Sequence, residues 1–256
     1  MPKPGTRSDH IVGRPRPYVM AHRGDSDHAP ENTLAAFRLA AAAGAEIIET
    51  DLWFSADGHL VCHHDETLER MTGDPRRVND VPLAEIQRLP IRSRFDADFP
   101  AERVPSLAEV LAAVPPAIIL ALELKDPRFG ADPAAAATLA RAIVERIGAR
   151  TVFVISFDLG RVLRVKAAAP ACRGGHISLR NPLPTQPTEF LGPYWRLLAL
   201  NPFYVRLAHR RGQWVCPLDP DLGRRLARYL ALDVDAVLTN DPGGTRARIE
   251  ALRGAR

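Results

Sequence analysis

Apolar residues in this chain fall into short runs set between helical patterns, and the early runs end on polar groups. Tyr18–Ala21 runs into His22 and Arg23, Glu46–Ile48 into Glu49 and Asp51, and Leu60–Cys62 into His63, His64 and Asp65. Between the first two, Pro30-Glu31-Asn32-Thr33 opens an apolar-periodic run that stops at Gly44. That pattern predicts a helix with Asn32 or Thr33 as its cap. Asp57-Gly58 is a hairpin-turn signal, so the second strand, ending near Asp51, is expected to double back into residues 60–64.

The alternation continues. Residues 106–113 predict a helix with Ser106 as cap and Glu109 at the capping-box position. Residues 118–125 (IILALELK) read as a strand, 132–147 as a helix, 152–157 as a strand and 159–169 as a helix ended by Pro170. A weaker strand covers 174–178. Residues 180–195 hold four prolines and no periodicity, which predicts a long loop. Thereafter come a short strand at 197–200, a helix at 203–211, a strand at 214–218, a helix at 222–231, a last strand at 236–239 and a basic helical tail. Strands alternating with helices predict an α/β fold, a closed (β/α)8 TIM barrel. The runs at 197–200 and 214–218 compete for one place in it. Residues 66–105 are irregular apart from a short helix at 83–89 and read as a small insertion after the third strand. In such barrels the reactive groups gather at the carboxyl ends of the strands.

Alternation along a strand puts Glu49 and Asp51 on one face. Two carboxylates crowded there repel unless a cation lies between them. Glu123 and Lys125 likewise share a face at the end of another apolar run. Lys125 has two readings, a phosphate binder or a structural ion pair with Glu123. His63 and His64 are neighbours and must face opposite ways.

These residues carry a resemblance. His22-Arg23-Gly24, Pro30 to Thr33, Glu49 with Asp51, His64-Asp65 followed by Leu68, Arg70 and Thr72, then Glu123-Leu124-Lys125 and Ser156-Phe157 resemble the glycerophosphodiester phosphodiesterase family in order and spacing. The match is dense over 18–73, and later markers carry it to about residue 242. The resemblance implies a TIM barrel with a small insertion after the His-Asp strand, to which 66–105 corresponds. It implies hydrolysis of glycerophosphodiesters to glycerol 3-phosphate and an alcohol. One divalent cation would be held by Glu49, Asp51 and Glu123, and Arg23 and Lys125 would bind phosphate. His22 and His64 would act as general acid and base, in an order the sequence leaves open; the motif selects His64 over His63. All-oxygen ligation favours Mg²⁺ or Ca²⁺ over Zn²⁺. The chain departs from the family late. Where relatives commonly carry Trp-Thr-Val-Asn and Thr-Asp-x-Pro, it has Cys216-Pro217-Leu218-Asp219 and Thr239-Asn240-Asp241-Pro242. That departure bears on the alcohol side of the substrate, and it keeps lysophospholipids open as substrates beside glycerophosphocholine-type diesters.

Composition narrows the setting. The length of 256 residues suits one barrel, here 17–256, after a loose basic arm at 1–16. Cys62, Cys172 and Cys216 are scattered and odd in number, which argues against a disulfide framework and for a reduced, cytoplasmic setting. The first residues lack an apolar signal core, and no stretch is long enough to span a bilayer. A pI near 9.2 comes mostly from arginines on helix faces without interleaved aromatics, so nucleic acid is not expected as a partner. Solvated helix faces in an Arg- and Ala-rich chain are the first reading of that charge, and attraction to anionic substrate or phospholipid headgroups is the functional one. An amidohydrolase barrel would want His-x-His on the first strand, and the sequence has His-Arg-Gly there. A non-catalytic phosphate- or lipid-binding barrel is the remaining alternative.

Overall fold

The computed structural model describes residues 15–95, 97–147 and 151–254. Most of the expected basic arm, residues 1–14, lies outside them. Nine strands share one sheet: β1 (Tyr18–Ala21), β2 (Ile47–Phe54), β3 (Leu60–Cys62), β4 (Ile119–Leu124), β5 (Val152–Ser156), β6 (Arg173–Ser178), β7 (Phe190–Pro193), β8 (Trp214–Val215) and β9 (Ala236–Thr239). β3 runs antiparallel to β2 and stands outside the ring. The other eight are parallel, in the order β8-β7-β6-β5-β4-β2-β1-β9, with helices between them. This is the expected barrel, nearly closed.

The seam falls between β8 and β9, and a side chain bridges it. The buried Asp235 carboxylate accepts the Val215 N–H at 2.8 Å, while the Asp235 N–H donates to the Val215 carbonyl at 2.9 Å. Arg16 and His209 lie against the same carboxylate at 2.6 and 2.8 Å. A charge buried at the seam is thus paired and hydrogen-bonded, as burial requires.

Two corrections concern the stretch after β6. The expected loop 180–195 contains a barrel strand, β7, and the expected strand 197–200 is part of a helix, Trp195–Leu200. The late place in the ring goes to β8, cut to two residues by Pro217. Phe190 and Leu191 are buried on opposite faces of β7, among the barrel interior and the surrounding helices respectively. That two-sided burial makes so short a segment a strand despite its Gly and Pro.

Elsewhere local chemistry acts as read. Thr33 caps the helix Leu34–Ala42 by accepting the Ala36 N–H, and Ser106 and Glu109 form a reciprocal capping box on Leu107–Ala113. The second strand runs past Asp51 to Phe54 before the Asp57-Gly58 turn, where Gly58 takes a φ of +81°. The insertion packs a small core of its own, including Leu68, Val78, Val81 and Ile86, against Trp53 and Val61. Among the described residues no helix is long and apolar enough to cross a membrane.

Candidate active site

The barrel interior is apolar at its base and ionic above. Tyr18, Ile47, Ile119, Phe153 and Trp214 fill the lower layers. Two and four residues beyond Ile47 on the same face come Glu49 and Asp51, and four beyond Ile119 comes Glu123, paired in register with Asp51. One carboxylate oxygen from each of the three lies within 4.8 Å of the others, and all three residues are buried. Lys125, just past β4, places its Nζ 2.7 Å from Glu123 and 3.3 Å from Asp51. Both readings of Lys125 therefore begin from a real ion pair.

Arg23 meets the cluster from the other side. Its backbone N–H donates to Glu49 Oε2 at 2.9 Å, and its Nε lies 3.3 Å from Asp51. The chain must turn sharply to do this, with φ of +57° at Arg23 and +83° at Gly24. A Cβ at residue 24 would stand 2.7 Å from the Ala36 backbone, so the third residue of His-Arg-Gly is glycine for close approach to the helix. Asn32, also left-handed at φ +56°, donates to Asp51 at 2.9 Å and accepts from Thr50 at 2.7 Å.

Three carboxylates against two cations leave an excess negative charge. Burial, then Asp51 and Glu123, pushes the Glu49 carboxyl well above its ordinary range. Glu123 is raised by burial, with the attraction of Lys125 working against the shift. Burial alone would lower Lys125, but Asp51 and Glu123 outweigh it and hold the ammonium above its usual pKa. Glu49 Oε1 is buried without a hydrogen-bond partner, and Asp51 Oδ1 faces only the Lys125 ammonium, at 3.3 Å. Under-satisfied hard oxygens in a tight carboxylate cluster fit a divalent cation of the Mg²⁺ or Ca²⁺ kind.

The two singled-out histidines flank this cluster. His22, next after β1, lines the same pocket as Glu49 and Glu123. Its Nδ1 lies 2.8 Å from Asn240 Oδ1, just past β9, so that nitrogen is the donor and Nε2 is left as the acceptor. Burial, then the Arg23 charge, lowers its pKa. His64 acts electrostatically on Glu123, and its Nδ1 is held by Asp65 at 2.6 Å. His63 instead is buried and bonds the Thr67 carbonyl at 2.9 Å, a packing position.

Sequence reasoning left Asp65 either to position His64 or to open a turn, and gave no role to Glu31 or Arg70, which join it to the cluster. From Asp51 an alternating chain runs through Arg23, Glu31 (2.9 Å), Arg70 (2.6 Å) and Asp65 (2.5 Å) to His64. Burial opposes ionisation of Asp65, yet Arg70 and His64 bring it down to about 2. Glu31 and Asn32 stand in the Pro30–Thr33 motif and Arg70 in the motif after His64-Asp65, so the signal was present without its geometry.

Two hollows meet at His22. One, open to solvent on one side, lies between the carboxylates and apolar groups, among them Ile155, Phe157, Phe190 and Leu218. The other is wider and mixed in character, with Asp27, Asp219 and Asn240 beside Leu218, Leu222 and Leu238. Asp219, in the departing motif, is buried and accepts from Arg225 at 2.7 Å and from the Tyr229 hydroxyl; Arg225 lies 3.7 Å over the Trp195 ring.

A parallel barrel with carboxylates, a histidine and cations at the carboxyl ends of β1, β2 and β4 has the makings of an enzyme site for an anionic substrate. Comparison with known proteins narrows it. The model of the glycerophosphoryl diester phosphodiesterase family matches residues 22–244, and the chain belongs to that family. A glycerophosphodiester phosphodiesterase of Caldanaerobacter subterraneus subsp. tengcongensis is 32% identical over 243 residues, covering 88% of this chain and 94% of that one. Among solved structures, an Oleispira antarctica phosphodiesterase in complex with the product sn-glycerol-3-phosphate superposes with a TM-score of 0.80 at 25% identity, over 91% of this chain and 97% of that one. A Silicibacter pomeroyi protein described as a glycerophosphoryl diester phosphodiesterase gives 0.78 at 26% identity, over 96% and 98%. The chain is accordingly a phosphodiesterase acting on glycerophosphodiesters.

Proposed function

We propose that this enzyme releases glycerol 3-phosphate and an alcohol by acid–base catalysis from His22 and His64 at a cation site made by Glu49, Asp51 and Glu123. The observation that carries it is the buried three-carboxylate cluster, with Glu49 Oε1 lacking a hydrogen-bond partner and His22 lining the same pocket. A divalent cation bound there supplies charge for a phosphoryl oxygen and acidity for a hydroxyl.

The chain's own groups do the rest. Arg23 and Lys125, already in the cluster, attract and orient the phosphodiester anion. The glycerol 2-hydroxyl attacks phosphorus while one histidine takes its proton at Nε2. The bond from phosphorus to the alcohol oxygen breaks, and the other histidine gives that oxygen a proton. The resulting cyclic phosphate is opened by water with the two histidines exchanging roles. Asn240 and Asp65 each hold the Nδ1 side, which keeps Nε2 toward the reaction. An internal nucleophile gains from proximity, with effective molarities that reach ~10⁵ M or more.

The test is hydrolysis of glycerophosphocholine after thorough dialysis, with EDTA and then with Mg²⁺ or Ca²⁺ restored. Full activity in excess EDTA would reject the cation site. A 2-deoxy analogue should compete for the site without turning over; turnover near the natural rate would replace the cyclic route with direct attack by water.

A further inference from the structure

Large apolar side chains exposed among the described residues concentrate on one rim. Phe157, Leu179, Leu183, Leu200 and Phe203 follow β5, β6 and β7 at the barrel end that holds the active site. Leu200 is 75% exposed and Phe203 60%. The loops that carry them are tied: Asn201 Nδ2 donates to the Pro182 carbonyl at 2.9 Å, and the Tyr194 N–H to Ser178 at 2.8 Å. Phe157 belongs both to this rim and to the lining of the apolar pocket beside His22. The apolar surface is thus continuous with the mouth of the site.

Charge distinguishes what would cover it. Arg180, Arg196 and Arg206 stand among these apolar residues along the chain, and the one acid within residues 178–206 is Glu189. Glu189 is engaged at the opposite barrel end, with Lys166 and the Gly174 N–H. Arg180, Arg196 and Arg206 are exposed and make no ion pair among the described residues. Apolar tips ringed by unpaired arginines match the acyl boundary and anionic headgroups of a bilayer. A protein partner would need a shaped, flat complement, and a second copy would set arginine against arginine.

We propose that this rim docks the enzyme on an anionic lipid surface, with Leu200 and Phe203 entering the headgroup layer and Arg180, Arg196 and Arg206 meeting lipid phosphates. Leu200, Phe203, Arg180 and Arg206 lie outside the lining of the site, so docking and hydrolysis can each fail without the other.

The test is co-sedimentation of the whole chain with vesicles of phosphatidylcholine alone and with added phosphatidylglycerol, at low and high salt. Binding should require phosphatidylglycerol and weaken as salt rises. The L200S/F203S and R180E/R206E variants should each bind roughly tenfold or more weakly. Both pairs are exposed, and both variants should hydrolyse dissolved glycerophosphocholine at the parental rate, which shows them folded. Absence of binding to anionic vesicles, or binding unchanged in both variants, overturns the proposal. So does a parental dimer in light scattering that L200S/F203S makes monomeric without any vesicle binding, which would assign the rim to self-association. Failure of the parent to hydrolyse glycerophosphocholine would speak against the reaction and leave the docking result standing.

Discussion

Glu49→Gln should stabilise the metal-free protein, and the gain should grow with pH. The carboxylate oxygens of Glu49, Asp51 and Glu123 lie within 4.8 Å of one another. At that outer separation and an effective dielectric of 20, one pair of full charges repels by about 3.5 kcal/mol. Arg23 and Lys125 offset part of this, leaving a net gain of ~1–2 kcal/mol for removing one charge, or ~2–8 °C in Tm for a domain this size. The sign follows from the raised carboxyl. The folded protein holds a proton on Glu49 that the unfolded chain releases near pH ~4.3. Stability from that proton is present below ~4.3 and is lost as pH rises through the higher folded value. Glutamine cannot ionise, and its carbonyl can still accept the Arg23 N–H. The assay is thermal unfolding of both proteins in EDTA across pH. The curves should coincide at acid pH and diverge above it, the variant becoming the more stable. With Ca²⁺ or Mg²⁺ the order should reverse, since a ligand at 100 times its Kd stabilises by ~2.7 kcal/mol and the variant has lost a ligand oxygen. Parallel curves in EDTA would refute the crowding argument.

Arg70→Ala cuts the charged chain between Glu31 and Asp65, and at a half-exposed position this should cost roughly tenfold in kcat/KM with melting little changed. An unaltered rate would show that His64 needs no support from that chain. Gly24→Ala forces a Cβ against the Ala36 backbone at a φ of +83° and should destabilise by more than ~1 kcal/mol while abolishing activity. A soluble, active alanine variant would contradict the turn described. Asp235→Ala strips the seam of its bridging carboxylate beside Arg16 and His209, with an expected loss of ~3–5 kcal/mol read by denaturant unfolding. A loss under ~1 kcal/mol would mean that the seam is closed by other contacts.

Most of the ring was legible because its strands are short apolar runs between capped helices. Thr33, Ser106 with Glu109, and Asp57-Gly58 punctuate the chain by local chemistry, and local chemistry is what a sequence displays. The failure lay at 180–200. Phe190-Leu191-Gly192-Pro193 carries two residues that disfavour strands, and only burial from both sides makes it one. The run Leu197-Leu198-Ala199-Leu200 is too short for its period to separate helix from strand. Within the site, Glu49, Asp51 and Glu123 could be grouped from alternation and motif. The partners of the histidines divide differently: Asp65 adjoins His64, whereas Asn240 reaches His22 from 218 residues away, a pairing that the β1–β9 ladder creates.

That distance gives the ring an order of assembly. β1 pairs with β2 on one side and with β9 on the other, so the first strand made is completed by the last. On the ribosome, a chain already bearing every candidate ligand and both histidines still lacks one wall of β1 and the amide that orients His22. Domains emerge at about 5–20 residues per second, so the open form persists for several seconds while residues 126–240 are translated. During that interval the early half carries crowded carboxylates with an unclosed edge, the state most exposed to chaperones and proteases. Catalytic competence is therefore expected to appear late and abruptly in synthesis, when residues 236–240 clear the exit tunnel and the barrel shuts.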